Sequence, residues 1–184
     1  MTIRKIVLLA ALAAAMPATA SVTILGTSAA RRCYEAAESD LAKDRHSLDQ
    51  CDLALQSEPL TDYEVVATHV NRGILRMRRG EMELALADFD TAIARDPKEA
   101  EAYLNKAVAL MRVPGGAGKA LPMFSAAIEH DTTKPALAYF GRALAHETLG
   151  DLKSAYLDYK KANAADPAWD RPLAELARFT VKRP

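Results

Sequence analysis

The side chains able to do chemistry are few and scattered. Cys33 and Cys51 are the only cysteines, and His46, His69, His130 and His146 the only histidines, of a 184-residue chain. A zinc site gathers Cys and His at short, recurrent spacings, commonly C-x-x-C. Neither that motif nor histidines at ligand spacing occur here. Gly118-Lys119 resembles the end of a phosphate loop, but Ala120 stands where Ser or Thr must follow and Val113 where the first Gly belongs. Asp88-Phe89-Asp90 could begin a calcium loop, but Ala92 takes a ligand position and the required Gly is missing; these acids read as a solvated helix face. No G-x-S-x-G or H-E-x-x-H is present. The chain reads as no enzyme, with no cofactor and no metal. Single histidines read as packed or solvated, and Trp169 as packing under the C-terminal end.

The elements that must carry these residues are helices. Half the residues are hydrophobic, and Ala and Leu outnumber β-branched and aromatic types. Formal net charge is zero, with both signs interspersed. No basic stripe offers itself to phosphates, which argues against a nucleic-acid partner.

The N-terminus has the layout of an export signal. Arg4 and Lys5 are followed by an uncharged apolar run from Ile6 to Met16, then Pro17, then Ala18-Thr19-Ala20 as a small-x-small cleavage site. The expected cut follows Ala20; Ser28-Ala29-Ala30 offers a second position, and an uncleaved membrane anchor is the alternative. The apolar run is short for a bilayer span, so no span is expected after cleavage. A lipid anchor on Cys33 is disfavoured by Arg31-Arg32 before it. Loss of Arg4 and Lys5 leaves 22 basic against 24 acidic residues. An exported chain meets oxidising conditions, where Cys33 and Cys51 pair more readily than they bind metal or act as thiols.

Self-comparison shows three tandem segments, 66–99, 100–135 and 136–169. Gly80, Ala85, Phe89, Ala92 and Asp96-Pro97 recur as Gly150, Ala155, Tyr159, Ala162 and Asp166-Pro167; Ala120, Phe124 and Ala127 recur between them. Small, aromatic, small at spacings of four and three lie on one helix face. Glycine allows the positive φ that ends a first helix, and Asp-Pro ends the second. The middle segment is two residues longer, one of them in Pro114-Gly115-Gly116-Ala117-Gly118.

This pattern resembles the tetratricopeptide repeat, a helical hairpin of about 34 residues. The matching residues also include Gly73, Tyr103, Ala107, Tyr139 and Ala143; His69 and Arg76 depart from the usual aromatic positions. The resemblance implies an all-α solenoid of about three repeats plus terminal caps. Segment 1–20 is the signal, 21–30 a flexible segment, 31–65 a disulfide-stapled degenerate hairpin with a helix over Arg45–Leu55, and 170–184 a C-terminal capping helix. That helix reads from Arg171 to Val181, with Leu173, Leu176, Ala177 and Phe179 covering the last repeat.

In that family the first helix of each hairpin lines a concave groove. Carried over, the groove residues are Val70, Asn71, Ile74, Met77 and Arg78, then Leu104, Asn105, Val108, Met111 and Arg112, then Phe140, Gly141 and Leu144. The lysines of a carboxylate clamp are missing at the matching positions. The implied function is a non-catalytic protein-interaction module, a periplasmic or secreted adaptor. An apolar or amphipathic peptide segment lies in its groove, with Asn71 and Asn105 bonding that segment's backbone. Self-association into homo-oligomers is the alternative.

Overall fold

The computed structural model describes residues 2–5, 20–23, 28–39 and 46–182. The apolar run from Ile6 to Met16, Pro17 and the Ala18-Thr19 part of the cleavage site lie outside the described residues. Four hairpins follow one another. Helices α1 (Ala29–Glu38) and α2 (His46–Ser57) form the first, and α3 (Asp62–Arg78) and α4 (Met82–Arg95) the second. Helices α5 (Ala100–Met111) and α6 (Ala117–Glu129), then α7 (Pro135–Thr148) and α8 (Leu152–Ala165), complete the stack. First helices of successive hairpins approach one another more closely than second helices do. The first helices therefore lie on the inside of the curve.

The turns follow from the residues at them. Gly80 and Gly150 have φ of 79° and 84°. Beyond each, Glu81 N–H donates to the Arg76 carbonyl and Asp151 N–H to that of His146, both at 2.9 Å, the wide bond of a Schellman ending. Asp96 and Asp166 close the second helices, their carboxylates accepting from the N–H of Lys98 at 2.9 Å and Ala168 at 3.1 Å. Helix α3 starts on a capping box between Thr61 and Glu64.

Within each hairpin the recurring small and aromatic residues form the core. Ala85, Phe89 and Ala92, then Ala120, Phe124 and Ala127, then Ala155, Tyr159 and Ala162 are all at 0% exposure. Alanine lets two helices come close, and the ring fills the space beside it.

The N-terminal hairpin is tied in two ways. Cys33 of α1 and Cys51 of α2 form a disulfide with Cα atoms 4.9 Å apart. Glu58, just past α2, accepts from Ala29 N–H at 2.7 Å and Ala30 N–H at 3.1 Å, and so caps α1. The disulfide closes a loop of 18 residues, and a loop of that length is expected to contribute about 3 kcal/mol. Reduction should lower the urea midpoint accordingly; an unchanged midpoint with dithiothreitol would show that the bond constrains nothing.

The C-terminal end differs from the expectation of one helix to Val181. Helix α9 stops at Leu176 (Arg171–Leu176), and Phe179–Lys182 forms strand β2, paired antiparallel with β1 (Thr2–Lys5) in the register Thr2↔Lys182. Leu173 is 60% exposed and Ala177 is also exposed, so neither covers the last repeat. Leu176 and Phe179 do, Phe179 with its ring 5.9 Å from that of Tyr159 and 5.8 Å from that of Tyr156. An extended chain places Phe179 on α8 where a continued helix would have turned away from it.

Candidate binding groove

Steps of 34 and 36 residues bring the same helix position of α3, α5 and α7 to the inner surface. The ladder is not an open trough. Val70, Asn71, Ile74, Met77, Leu104, Asn105, Val108 and Phe140 are at most 1% exposed, and Met111 and Leu144 are half-buried. Val70, Ile74, Met77, Leu104 and Val108 belong to one apolar cluster that also contains Ala20 and Val22. Phe140 is not with them. Its ring lies 4.8 Å from Trp169 and 5.4 Å from Tyr159, in a second cluster at the C-terminal end. Leu144 packs there too. The third rung thus serves the end of the solenoid, because Trp169 and α9 are at hand to cover it.

The two asparagines are engaged with the chain's own backbone. Val22 N–H donates to Asn71 Oδ1 at 3.0 Å, and Asn71 Nδ2 donates to the Val22 carbonyl at 2.8 Å. One repeat further on, Asn105 Nδ2 donates to the Ala20 carbonyl at 2.8 Å and to Glu101 O at 2.8 Å. Asn105 Oδ1 is buried and has no partner among the described residues. The Tyr63 hydroxyl donates to the Thr23 carbonyl at 3.1 Å, and the Ser21 hydroxyl to Glu38. Ser21–Thr23, part of the 21–30 segment expected to be flexible, thus lie against α3. The signal for it was faint: a period-two alternation of small or β-branched with polar residues only four residues long.

Gly141 takes the asparagine's place in the third repeat for a steric reason. A Cβ there would sit 2.3 Å from Phe124 Cζ of the preceding hairpin. Arg78 reaches back to the Ser39 carbonyl at 2.9 Å and so ties α3 to the end of α1.

The acidic pair at 88 and 90 is split by the structure. Asp90 is exposed and meets Lys106 of the next hairpin. Asp88, expected on a solvated face, is 2% exposed. It accepts from Arg72 Nη2 at 2.7 Å and Arg76 Nη1 at 2.7 Å, and meets His69 Nδ1 at 3.0 Å. Burial works against its charge. The hydrogen bonds from His69 and Arg72, with the charges of Arg72 and Arg76, outweigh that and hold its carboxyl below the ordinary value. The third hairpin repeats the device, Arg142 donating to Asp158 at 2.7 and 2.9 Å. In the middle hairpin Met123 replaces the acid, and Lys106 turns to Asp90 instead.

Two recesses flank the ladder. One of about 320 Å³ adjoins Ser21–Thr23 and is bordered by Tyr63, Asp96, Glu99, Glu101 and Asp131. Burial, and then the neighbouring acids, push the Glu99 carboxyl up despite a backbone hydrogen bond. The other, about 390 Å³, lies between Pro135–Leu137 and Trp169. Among the described residues no group of three or more His, Cys, Asp or Glu could hold a metal ion. Gly118-Lys119 lies in the first turn of α6. His130 faces the Tyr103 ring at 5.5 Å, and His46 and His146 lie near Asp49 and Asp151.

No protein-family model and no curated protein matches the sequence. Solved structures do. A MamA fragment from Desulfovibrio magneticus superposes with a TM-score of 0.65 at 19% identity, over 82% of each chain. PilW, a widely conserved type IV pilus biogenesis factor, gives 0.66 at 21% identity, over 81% of this chain and 67% of PilW. TTC0263, a thermophilic TPR protein in Thermus thermophilus, gives 0.62 at 21% identity, over 80% of each. With the hairpin stack, the small–aromatic–small cores and the inner ladder, this likeness gives the chain a tetratricopeptide-repeat-like fold, an all-α solenoid.

Proposed function

We propose that the protein is a non-catalytic scaffold of the cell envelope that holds a segment of a partner protein along the inner face of its first helices. The carrying observation is the pair of hydrogen bonds between Asn71 and the backbone of Val22. A side-chain amide that satisfies both the N–H and the C=O of one residue binds main chain whatever side chain that residue carries. This is how a rigid surface takes up peptides of varied sequence. Val70, Ile74, Met77, Leu104, Val108 and Met111 supply the apolar wall, whereas Phe140 and Leu144, the third rung of the expected groove, pack in the C-terminal cluster. The methionines adapt to a variable partner.

Export rests on the N-terminal sequence, with its charged start, apolar run and Ala20 cleavage site. No helix of the described residues is long and apolar enough to cross a membrane. The likeness to PilW supports an envelope setting and protein partners. The cut after Ala20, which would remove β1 and Ala20 itself, is preferred to one after Ala30, which would remove more of the fold. The later cut would delete Ser28, which caps α1, and the fully buried Ala29 and Ala30.

The test is crosslinking and affinity capture from the native envelope, wild type beside the double variant Asn71→Leu/Asn105→Leu. Leucine keeps the branched shape while removing the amides, and circular dichroism checks that its greater bulk leaves the fold intact. Partners lost only in the variant are expected. An identical set of partners would remove the groove from consideration, and recovery of the protein alone would favour self-association.

A further inference from the structure

Residues 20–23 lie in the groove as a bound peptide would. Ala20 is 1% and Val22 6% exposed, while Ser21 is half-buried and Thr23 exposed, the in-and-out alternation of an extended chain. Their main-chain groups bond to side chains of α3 and α5. Asn105 takes the Ala20 carbonyl, Asn71 takes both polar groups of Val22, and Tyr63 takes the Thr23 carbonyl. The two asparagines, one repeat apart, therefore read residues two apart in the segment. Where Asn71 makes two bonds to its residue, Asn105 makes one, and its Oδ1 is buried without a partner among the described residues. That atom is an acceptor placed for one more N–H.

We propose that Ala20–Thr23 is an intramolecular strap occupying the peptide site, and that the partner it yields to is an extended segment with small or β-branched apolar residues at alternate positions. This rests on the groove reading above. A helical partner cannot use the site in this way, because its own backbone groups are already paired and offer nothing to Asn71. With the strap present, apparent affinity is the intrinsic affinity multiplied by the fraction of time the groove is vacant. Cleavage between Ala20 and Ser21 would remove the first residue of this strap. It leaves Val22 on Asn71 and removes the group that occupies Asn105, so export processing opens the half of the groove nearest α5.

The experiment uses the full chain and a fluorescent peptide with the sequence of residues 18–25, followed by anisotropy. Val22→Asp, which drives a carboxylate into the apolar cluster and so expels the strap, is expected to bind the peptide at least about tenfold more tightly than wild type. Adding Asn71→Leu to that variant is expected to abolish binding. Val22→Gly, which removes the anchor without adding charge, serves if Val22→Asp loses helix by circular dichroism. Equal peptide affinity in wild type and both strap variants overturns the strap and leaves the groove reading standing. Absence of binding in every folded variant overturns the backbone-reading site itself. Sedimentation of the wild type should show a monomer at every concentration; a concentration-dependent dimer lost on Val22→Asp would place the strap in a second copy and overturn the intramolecular assignment.

Discussion

Asp88→Ala is expected to destabilise the protein by about 3 kcal/mol, because it removes the buried acceptor shared by cations that are mostly shielded from water. Asp88 is 2% exposed, and Arg72 and Arg76 have side chains only 15% and 18% exposed. Removing the carboxylate takes from Arg76 and His69 the acceptor they share. Arg72 keeps Asp52 at 2.6 Å, which holds the loss near the lower end of the usual 3–5 kcal/mol for breaking a buried pair. The contrast is Asp90→Ala, a short step along the same helix. Its carboxylate is 60% exposed, and an exposed pair contributes about 0.2–1 kcal/mol. Urea midpoints of the two variants should therefore separate widely; equal losses would mean that Asp88 is solvated after all. The pH dependence gives a second readout. Asp88 has its folded-state pKa lowered from 3.8, so its contribution is fully present above the unfolded value and disappears as pH falls through the folded one. Wild type should lose stability below about pH 4. Asp88→Asn, which lacks that proton uptake, should show a shallower acid limb.

Reading the sequence reached the repeats because their cores are built from residue types that admit few alternatives. Ala85, Phe89 and Ala92 can meet a neighbouring helix in only one way, and Gly80 and Gly150 mark turns that most residues cannot enter. Pairing Cys33 with Cys51 needed only the oxidising setting and two cysteines. Asp88 escaped because burial of a charge depends on partners that arrive from another helix. Arg72 and Arg76 lie 16 and 12 residues away, and helical periodicity alone cannot tell a paired acid from a solvated one. Phe140 escaped because its repeat position is shared with Val70 and Leu104, while its neighbours, Trp169 and α9, belong to the end of the chain. The strap escaped for the opposite reason. Four residues carry too little pattern, and their place is set by amides on helices separated from them by dozens of positions. The Asn71 and Asn105 ladder was visible as a repeat; that Ala20 and Val22 lie on it is a property of the folded chain.

The helix approach that the alanines and glycines permit carries the other large effect. Phe89 is fully buried, and Phe89→Ala is expected to cost about 3–5 kcal/mol from lost burial and a cavity. The cavity has a known neighbour. A Cβ on Gly73 would fall 2.5 Å from Phe89 Cε1, so Gly73→Ala alone forces the ring aside and should cost about 1–3 kcal/mol. Combined with Phe89→Ala, the same methyl enters space the ring has left, and the double variant should be more stable than the sum of the singles by about 1 kcal/mol or more. Strict additivity would show that the two do not touch. The Gly141 and Phe124 pair makes the same test across a boundary. There the ring belongs to α6 and the glycine to α7 of the next hairpin, with a Cβ 2.3 Å from Phe124 Cζ. Gly73→Ala strains one hairpin, whereas Gly141→Ala strains the joint between two. In a solenoid whose stability is a sum of unit and interface contributions, the first should lower the single cooperative transition, and the second should uncouple α7 and α8 from the rest. Unfolding followed by near-ultraviolet signals of Trp169 and by far-ultraviolet ellipticity would then coincide for Gly73→Ala and separate for Gly141→Ala. Coincidence in both would mean that the interface between the second and third repeats tolerates the displacement of Phe124.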